Sequence, residues 1–117
     1  MGITYVDGTV TGPTDEKMDL HLLVDSGAQY TLVPHDAWQA IGLTPRRSMC
    51  FPLADGTQVE RQISECLITL PQGEGHTPVI LGEPGDEALL GVVTLEELGL
   101  MLNPFSRTLQ PMRMMLA

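Results

Sequence analysis

Aromatic side chains are scarce in this chain: one Trp, two Tyr and two Phe among 117 residues. A core cannot rest on packed rings here and has to be built mainly from Leu, Val, Ile and Met. Cysteine is as rare. Cys50 and Cys66 lie far apart and form no CxxC, so they read as small buried hydrophobes in a reducing compartment. His21, His35 and His76 are scattered, with no metal-ligand spacing among themselves or with the cysteines. Neither a metal nor another cofactor is expected. Cationic residues are few as well: six Lys or Arg stand against 15 Asp or Glu, for a net charge of -9. Such a surface repels phosphate backbones and anionic lipid, which argues against nucleic-acid and membrane partners. The acidity itself reads as a solubility feature.

Long apolar runs are also missing. No stretch approaches the roughly 18 residues of a membrane-crossing helix, and no basic segment leads into an apolar one at the start. Met1-Gly2 lacks the Ser or Thr that N-myristoylation wants, because position 6 is Val6. The expected location is the cytoplasm.

Glycine and proline, by contrast, are plentiful, at twelve and nine. Their number predicts many turns between short strands. The length suits one domain, 1–117, and not two. Gly2 to Thr11 reads as a first strand broken at Asp7-Gly8, followed by a turn at Gly12-Pro13-Thr14-Asp15. From Lys17 to Val24, the residues Met18, Leu20, Leu22 and Val24 alternate with Asp19, His21 and Leu23. That period of two belongs to a strand with one face on the core, and apolar Leu23 makes burial two-sided near its end. Tyr30 to Val33 is a short β-rich run. Pro34 then opens a short helix to about Ile41, with Gly42 in the stopping position.

Ser48 to Leu53 and Thr57 to Leu70 read as strands joined by Ala54-Asp55-Gly56-Thr57, a hairpin signal of the Asp-Gly kind. Along the longer strand Val59, Ile63 and Leu67 share one phase, and Cys66, Ile68 and Leu70 the other. The switch predicts a bulge or a passage from solvent into the core. Pro71 to Gly75 reads as a loop, Thr77 to Leu81 as a strand and Gly82 to Asp86 as a turn. Leu89-Leu90-Gly91 closes a short buried strand. Thr94-Leu95-Glu96-Glu97 fits a capping box in which Thr94 opens a helix, Glu97 reaches back and Gly99 stops it. Leu100 to Leu102 and Thr108 to Gln110 form a last hairpin. A weak internal repeat joins the two halves: each ends a helix on an aliphatic residue, Gly and Leu, as Ile41-Gly42-Leu43 and Leu98-Gly99-Leu100.

Chemistry enters at Leu22-Leu23-Val24-Asp25-Ser26-Gly27-Ala28, where an apolar strand runs straight into Asp-Ser-Gly. A carboxylate at the end of a buried strand costs free energy unless something pairs with it or uses it. Gly27 permits a tight loop, and Ser26 has a hydroxyl that can tie it down. Asp-Ser-Gly occurs once in the chain.

These residues resemble the retropepsin-like aspartic proteases, the single-domain dimeric class. Val24-Asp25-Ser26-Gly27-Ala28 is similar to the family's hydrophobic-Asp-Thr/Ser-Gly-Ala loop, and Thr31-Leu32-Val33 to the strand after it. Leu89-Leu90-Gly91 resembles the second family signature, which precedes a helix, here Thr94 to Leu100. The ordering covers about residues 2 to 112. The resemblance implies a mostly β fold, a small closed β-barrel with one or two short helices, assembled as a homodimer. It implies an aspartic endopeptidase in which one Asp25 from each subunit activates a water against a peptide bond. In that scheme Ser26 anchors the loop across the dimer, Gly27 lets substrate backbone pass close, and Ala54, Asp55, Gly56 and Thr57 form a flap over the peptide. Ala28, lacking a hydroxyl some members place near the aspartate, implies a milder acidic optimum.

There are departures from the pattern. Ser26 stands for the commoner Thr, the hairpin tip carries an acid, and the tail Met112 to Ala117 does not match a retroviral terminal strand. A different reading is a protease-like dimeric module that binds peptides or proteins and cleaves poorly or not at all, since fold does not fix function. A third is a subunit tethered into a larger assembly through the Met-rich tail. Other eye-catching residues have plain roles. Trp38 reads as packing, His35 and Asp36 as first-turn residues with a capping role, and Met101, Met112, Met114 and Met115 as fillers of core or dimer-interface gaps.

Overall fold

The computed structural model describes residues 3–113. Strand β1 (Tyr5–Thr11) and strand β2 (Lys17–Val24) pair antiparallel around the expected turn, where the Gly12 N–H donates to Glu16 O at 2.9 Å. The predicted start at Gly2 lies outside the described residues. The predicted break at Asp7-Gly8 does not occur, because both residues pair in register with His21 and Leu20. Gly8 serves a close approach instead of a turn: a Cβ there would lie 2.7 Å from Leu70 Cδ2 and 3.0 Å from Thr69 O. In β2 the alternation holds, with Leu22 and Val24 buried, Met18 and Leu20 half-buried, and Asp19 and His21 exposed.

A short strand β3 (Thr31–Val33) leads into helix α1 (His35–Ala40), with Pro34 at the N-cap position. Strand β4 (Arg47–Pro52) and strand β5 (Gln58–Leu70) form a long hairpin. The phase switch in β5 falls at Ile63-Ser64, which are both buried. Its register against β4 and against strand β6 (Gly73–Leu81) runs without a slip, so there is no bulge. The strand passes from solvent into the core, because Ile63 is the last residue that β6 covers. The loop predicted over Pro71 to Gly75 shrinks to Pro71-Gln72, since Leu70 already pairs with Gly73. Glycine at 73 and 75 does not prevent pairing, and at 75 it leaves room for Leu98, whose Cδ2 would lie 3.0 Å from a Cβ.

Strand β7 (Leu89–Leu90) precedes helix α2 (Val92–Glu97), and β8 (Leu100–Asn103) and β9 (Thr108–Pro111) make a separate two-stranded ribbon, as expected. The capping-box reading fails. Helix α2 starts at Val92 with Gly91 at the N-cap, so Thr94 sits within the helix and its hydroxyl is used elsewhere. The stops do hold. Gly42 and Gly99 follow the two helices with φ of +76° and +66°, the left-handed region where glycine carries no Cβ penalty. Leu43 and Leu100 are buried behind them.

The large sheet has the order β1-β2-β7-β3-β6-β5-β4, and it curls until β1 pairs also with β5, Thr9–Thr11 against Leu67–Thr69. The expected barrel is met to this extent: a mostly β chain whose one large sheet curls upon itself. The internal repeat has a physical form, since each half lends a strand to the other in parallel, β7 to β2 and β3 to β6.

The core is aliphatic, with Val10, Leu22, Val33, Ile41, Ile68, Val79 and Leu90 fully enclosed. Trp38 is half-buried at its edge and donates from Nε1 to Gly82 O at 2.8 Å. Only one cysteine behaves as expected. Cys66 is buried, and loss of water, helped by neighbouring Glu65, pushes its thiol up to about 12. Cys50 is exposed, because it lies on the part of β4 that has left the core. Met101 is exposed and fills no gap in this chain's core, Met112 is half-buried, and Met114 and Met115 lie outside the described residues.

A thiol reagent at pH 8 should therefore label one cysteine, Cys50, in the folded protein and both in denaturant; rapid double labelling of the native chain would contradict this packing. Ile68→Ala should cost about 2–5 kcal/mol of stability, read as a lower urea midpoint at an unchanged slope.

Candidate active site

Leu89 and Leu90 lie between the strand that enters the Asp-Ser-Gly loop and the strand that leaves it. Leu23 and Val24 pair with them in parallel, and Leu32 faces Leu89 from the other side. A strand flanked on both sides has to be apolar, which explains two leucines in so short an element. The loop is then fixed by main-chain bonds. The Asp25 N–H donates to Leu90 O at 3.1 Å, and the Ala28 N–H donates to Asp25 O at 3.1 Å. The first amides of α2 bond to the far side of the loop, Val92 to Ala28 O and Val93 to Gln29 O, each at 2.9 Å.

Gly91 makes this docking possible. A Cβ there would come within 2.5 Å of Tyr30 C and 2.8 Å of Gln29 O, both main-chain atoms that cannot step aside. The Asp25 carboxylate is half-exposed, and its Oδ1 accepts the Gly27 N–H at 2.9 Å. Ser26 and Gly27 are exposed and Ala28 is half-buried, so the motif presents its polar edge at the surface. The structure thus brings Asp25, Ser26, Gly27 and Ala28 together with Leu89, Leu90 and Gly91.

The hydrogen-bonded cluster of three threonines behind the loop escaped the sequence reading. The hydroxyl of Thr31 lies 2.6 Å from that of Thr94, and Thr94 lies 2.8 Å from that of Thr77. The Gly91 N–H donates to Thr31 Oγ1 at 3.0 Å. All three side chains are buried. A signal for two of them was present, since Thr31 shares its strand face with Val33, and Thr77 shares its face with Val79 and Leu81. A hydroxyl on a core-facing phase calls for a partner inside.

The hairpin tip is a separate arm. Ala54, Asp55, Gly56 and Thr57 are all exposed. The Leu53 N–H donates to Thr57 O at 2.7 Å, the Gly56 N–H donates to Leu53 O at 3.0 Å, and Gly56 has φ of +91°. Asp55 shapes the turn, its Oδ1 accepting both the Thr57 hydroxyl at 2.6 Å and the Thr57 N–H at 2.9 Å. Those two bonds, the hydroxyl first, hold its carboxyl below the usual 3.8. The arm reaches the loop through one aromatic contact: the Phe51 ring of β4 meets Tyr30 edge-on at 5.9 Å. On its other strand Arg61 donates to Glu83 at 3.1 Å.

His35 and Asp36 do sit in the first turn of α1, but neither side chain caps it; they lie 3.5 Å apart, and Asp36 is fully exposed. Among the described residues no group of three His, Cys, Asp or Glu side chains could hold a metal ion. A surface groove of about 650 Å³ is lined by Gly8, Leu20, His21, Leu70 and Pro71, among others, and not by Asp25.

Among solved structures, the chain is similar to the solution structure of the simian foamy virus (mac) protease. The match covers 80% of this chain and 92% of that one, with a TM-score of 0.57 and 17% sequence identity. The fold is that of a retroviral protease. No family model matches the chain, and no curated protein matches it.

Within this fold, the Asp55–Thr57 bonds give the exposed arm a measurable property. Because the Asp55 pKa is depressed in the folded chain, the order it lends the turn is complete above about pH 4 and is lost as pH falls through the lowered value. The Thr57 amide shift should accordingly titrate below pH 3.8, and the titration should vanish in Asp55→Asn, which keeps an accepting oxygen. A Thr57 midpoint at or above the ordinary carboxylate value would refute this role.

Proposed function

We propose that this chain is an aspartic endopeptidase whose catalytic unit is a homodimer, with one Asp25 from each copy. The observation that carries the proposal is the setting of Asp25: a half-exposed carboxylate at the end of a buried strand, in a loop bolted to Leu89-Leu90-Gly91, within a retroviral-protease fold. Amide hydrolysis needs an activated water and a proton for the leaving nitrogen. One carboxylate cannot supply both at once, and two facing each other can.

Like charges at close range do not ionise together, so such a pair shares a proton. The ionised member takes a proton from water as the water oxygen adds to the scissile carbonyl. The protonated member gives its proton to the carbonyl oxygen. Collapse of the tetrahedral species breaks the C–N bond: the carboxyl that the water had protonated gives its proton to the nitrogen, and one hydroxyl of the diol returns a proton to the other carboxylate, which restores the shared-proton pair. The apparent pKa values of the process belong to the pair. No covalent intermediate forms.

In this scheme the exposed Ser26 hydroxyl ties the two loops together across the dimer, and Gly27 leaves room for the peptide main chain. The peptide lies extended, as in strand-addition complexes, and the Ala54–Thr57 tip covers it with main-chain hydrogen bonds and excludes water.

Incubation with a mixed peptide library from mildly acidic to neutral pH tests the proposal. The parent should cleave, a statine-type mimic should block it, and Asp25→Asn should lose about 10³-fold or more in kcat/KM. Activity per chain should fall on dilution below the dimer dissociation constant. Equal turnover by parent and variant, or none by a verified dimer, would rule the enzyme out.

A further inference from the structure

The buried hydroxyls of Thr31, Thr94 and Thr77 form a chain whose proton order can be worked out. Each hydroxyl has one proton to give. Thr77 has a main-chain acceptor, Pro78 O, at 3.3 Å. If Thr77 donates there, Thr94 donates to Thr77 and Thr31 donates to Thr94, all three protons are used. The Thr31 oxygen then stays open to the Gly91 N–H, which it accepts at 3.0 Å. In the reverse order the Thr31 proton has no acceptor among the described residues. The run is therefore one-way: Gly91 N–H, Thr31, Thr94, Thr77, Pro78 carbonyl. Aligned hydroxyls polarise one another, so the central one matters to both ends.

The near end of this run reaches Asp25 through a single peptide group. The N–H that Thr31 accepts belongs to Gly91, and the carbonyl across the same peptide bond is Leu90 O. That carbonyl accepts the Asp25 N–H at 3.1 Å. A peptide unit is planar, so fixing its N–H on one side fixes its C=O on the other. Thr94 is the only member of the run on α2, whose first amides also grip the loop at Ala28 and Gln29.

We infer that Thr94 is a positioning residue for Asp25, acting through Thr31 and the Leu90–Gly91 peptide plane. The catalytic part of this inference rests on the proposed protease activity; the structural part does not. Thr94→Val removes the hydroxyl at nearly constant volume, and Thr94→Ser keeps it.

The test uses the full chain and two readouts. In Thr94→Val the amides of Asp25 and Gly91 should exchange at least about tenfold faster while that of Ile68 does not change. Its kcat should fall about ten- to a hundredfold with KM within about twofold, the mark of a misplaced reacting group. Thr94→Ser should recover both readouts to within about threefold of the parent. If Thr94→Val does not fold, Thr77→Val is read in the same way, with smaller changes of the same sign. Unchanged exchange at Asp25 and Gly91 in a folded variant would overturn the inference, and so would an equal rise at every amide. A parent that cleaves nothing would end the protease proposal, while exchange would still decide the role of Thr94.

Discussion

The pairing of two leucines with both sides of one loop holds this molecule's polar chemistry in place. Leu89 and Leu90 come from the second half of the chain and lie between strands of the first half. Their main chain completes bonds that β2 and the Asp25 loop would otherwise leave open, as in the Asp25 N–H to Leu90 O bond. The Leu90 side chain closes the core beneath, and that of Leu89 lies half-buried on the opposite face. Neither half is complete alone, since each donates a strand in parallel to the other. The Asp-Ser-Gly loop is thus the product of long-range contacts, although its six residues are contiguous.

That dependence explains what the sequence made legible. Period two in Lys17–Val24 and the Asp-Gly turn are local signals, and the structure has both elements where the residues point to them. The apolar Leu89-Leu90 pair and the glycine after it were legible as a motif. The reason for that glycine, main-chain atoms of Tyr30 and Gln29 within 2.8 Å, needs the fold. Where local rules misled, a tertiary partner had taken the group in question. Thr94 has the spacing of a helix cap, yet its hydroxyl is used by Thr31 and Thr77 from distant strands. Asp7-Gly8 has turn chemistry, yet β2 supplies a full ladder opposite it and Leu70 fills the space that a side chain would need.

Burial divided residue pairs that composition treats alike. Cys50 and Cys66 differ because one lies on the outer arm and the other faces the core where β5 pairs with β6. Asp25 and Asp55 are both followed closely by glycine and both accept a main-chain N–H two residues on. One sits against the body of the protein, in the loop held by Leu90 and the first turn of α2, and the other shapes the end of a projecting hairpin. The same local motif therefore serves two purposes, set by what lies behind it.

Strand β5 carries one more implication. It runs thirteen residues without a slip in register, from Leu70 under the sheet to Gln58 beside the exposed tip. The tip is therefore the end of a continuous beam clamped in the hydrophobic interior, and it differs in kind from a loop tethered at two points. Any excursion of Gly56 has to be absorbed as curvature, greatest near Ile63 where the second supporting strand stops. Bending stiffness at that one residue would then set how far the tip can swing, at a distance from the residues of the tip itself.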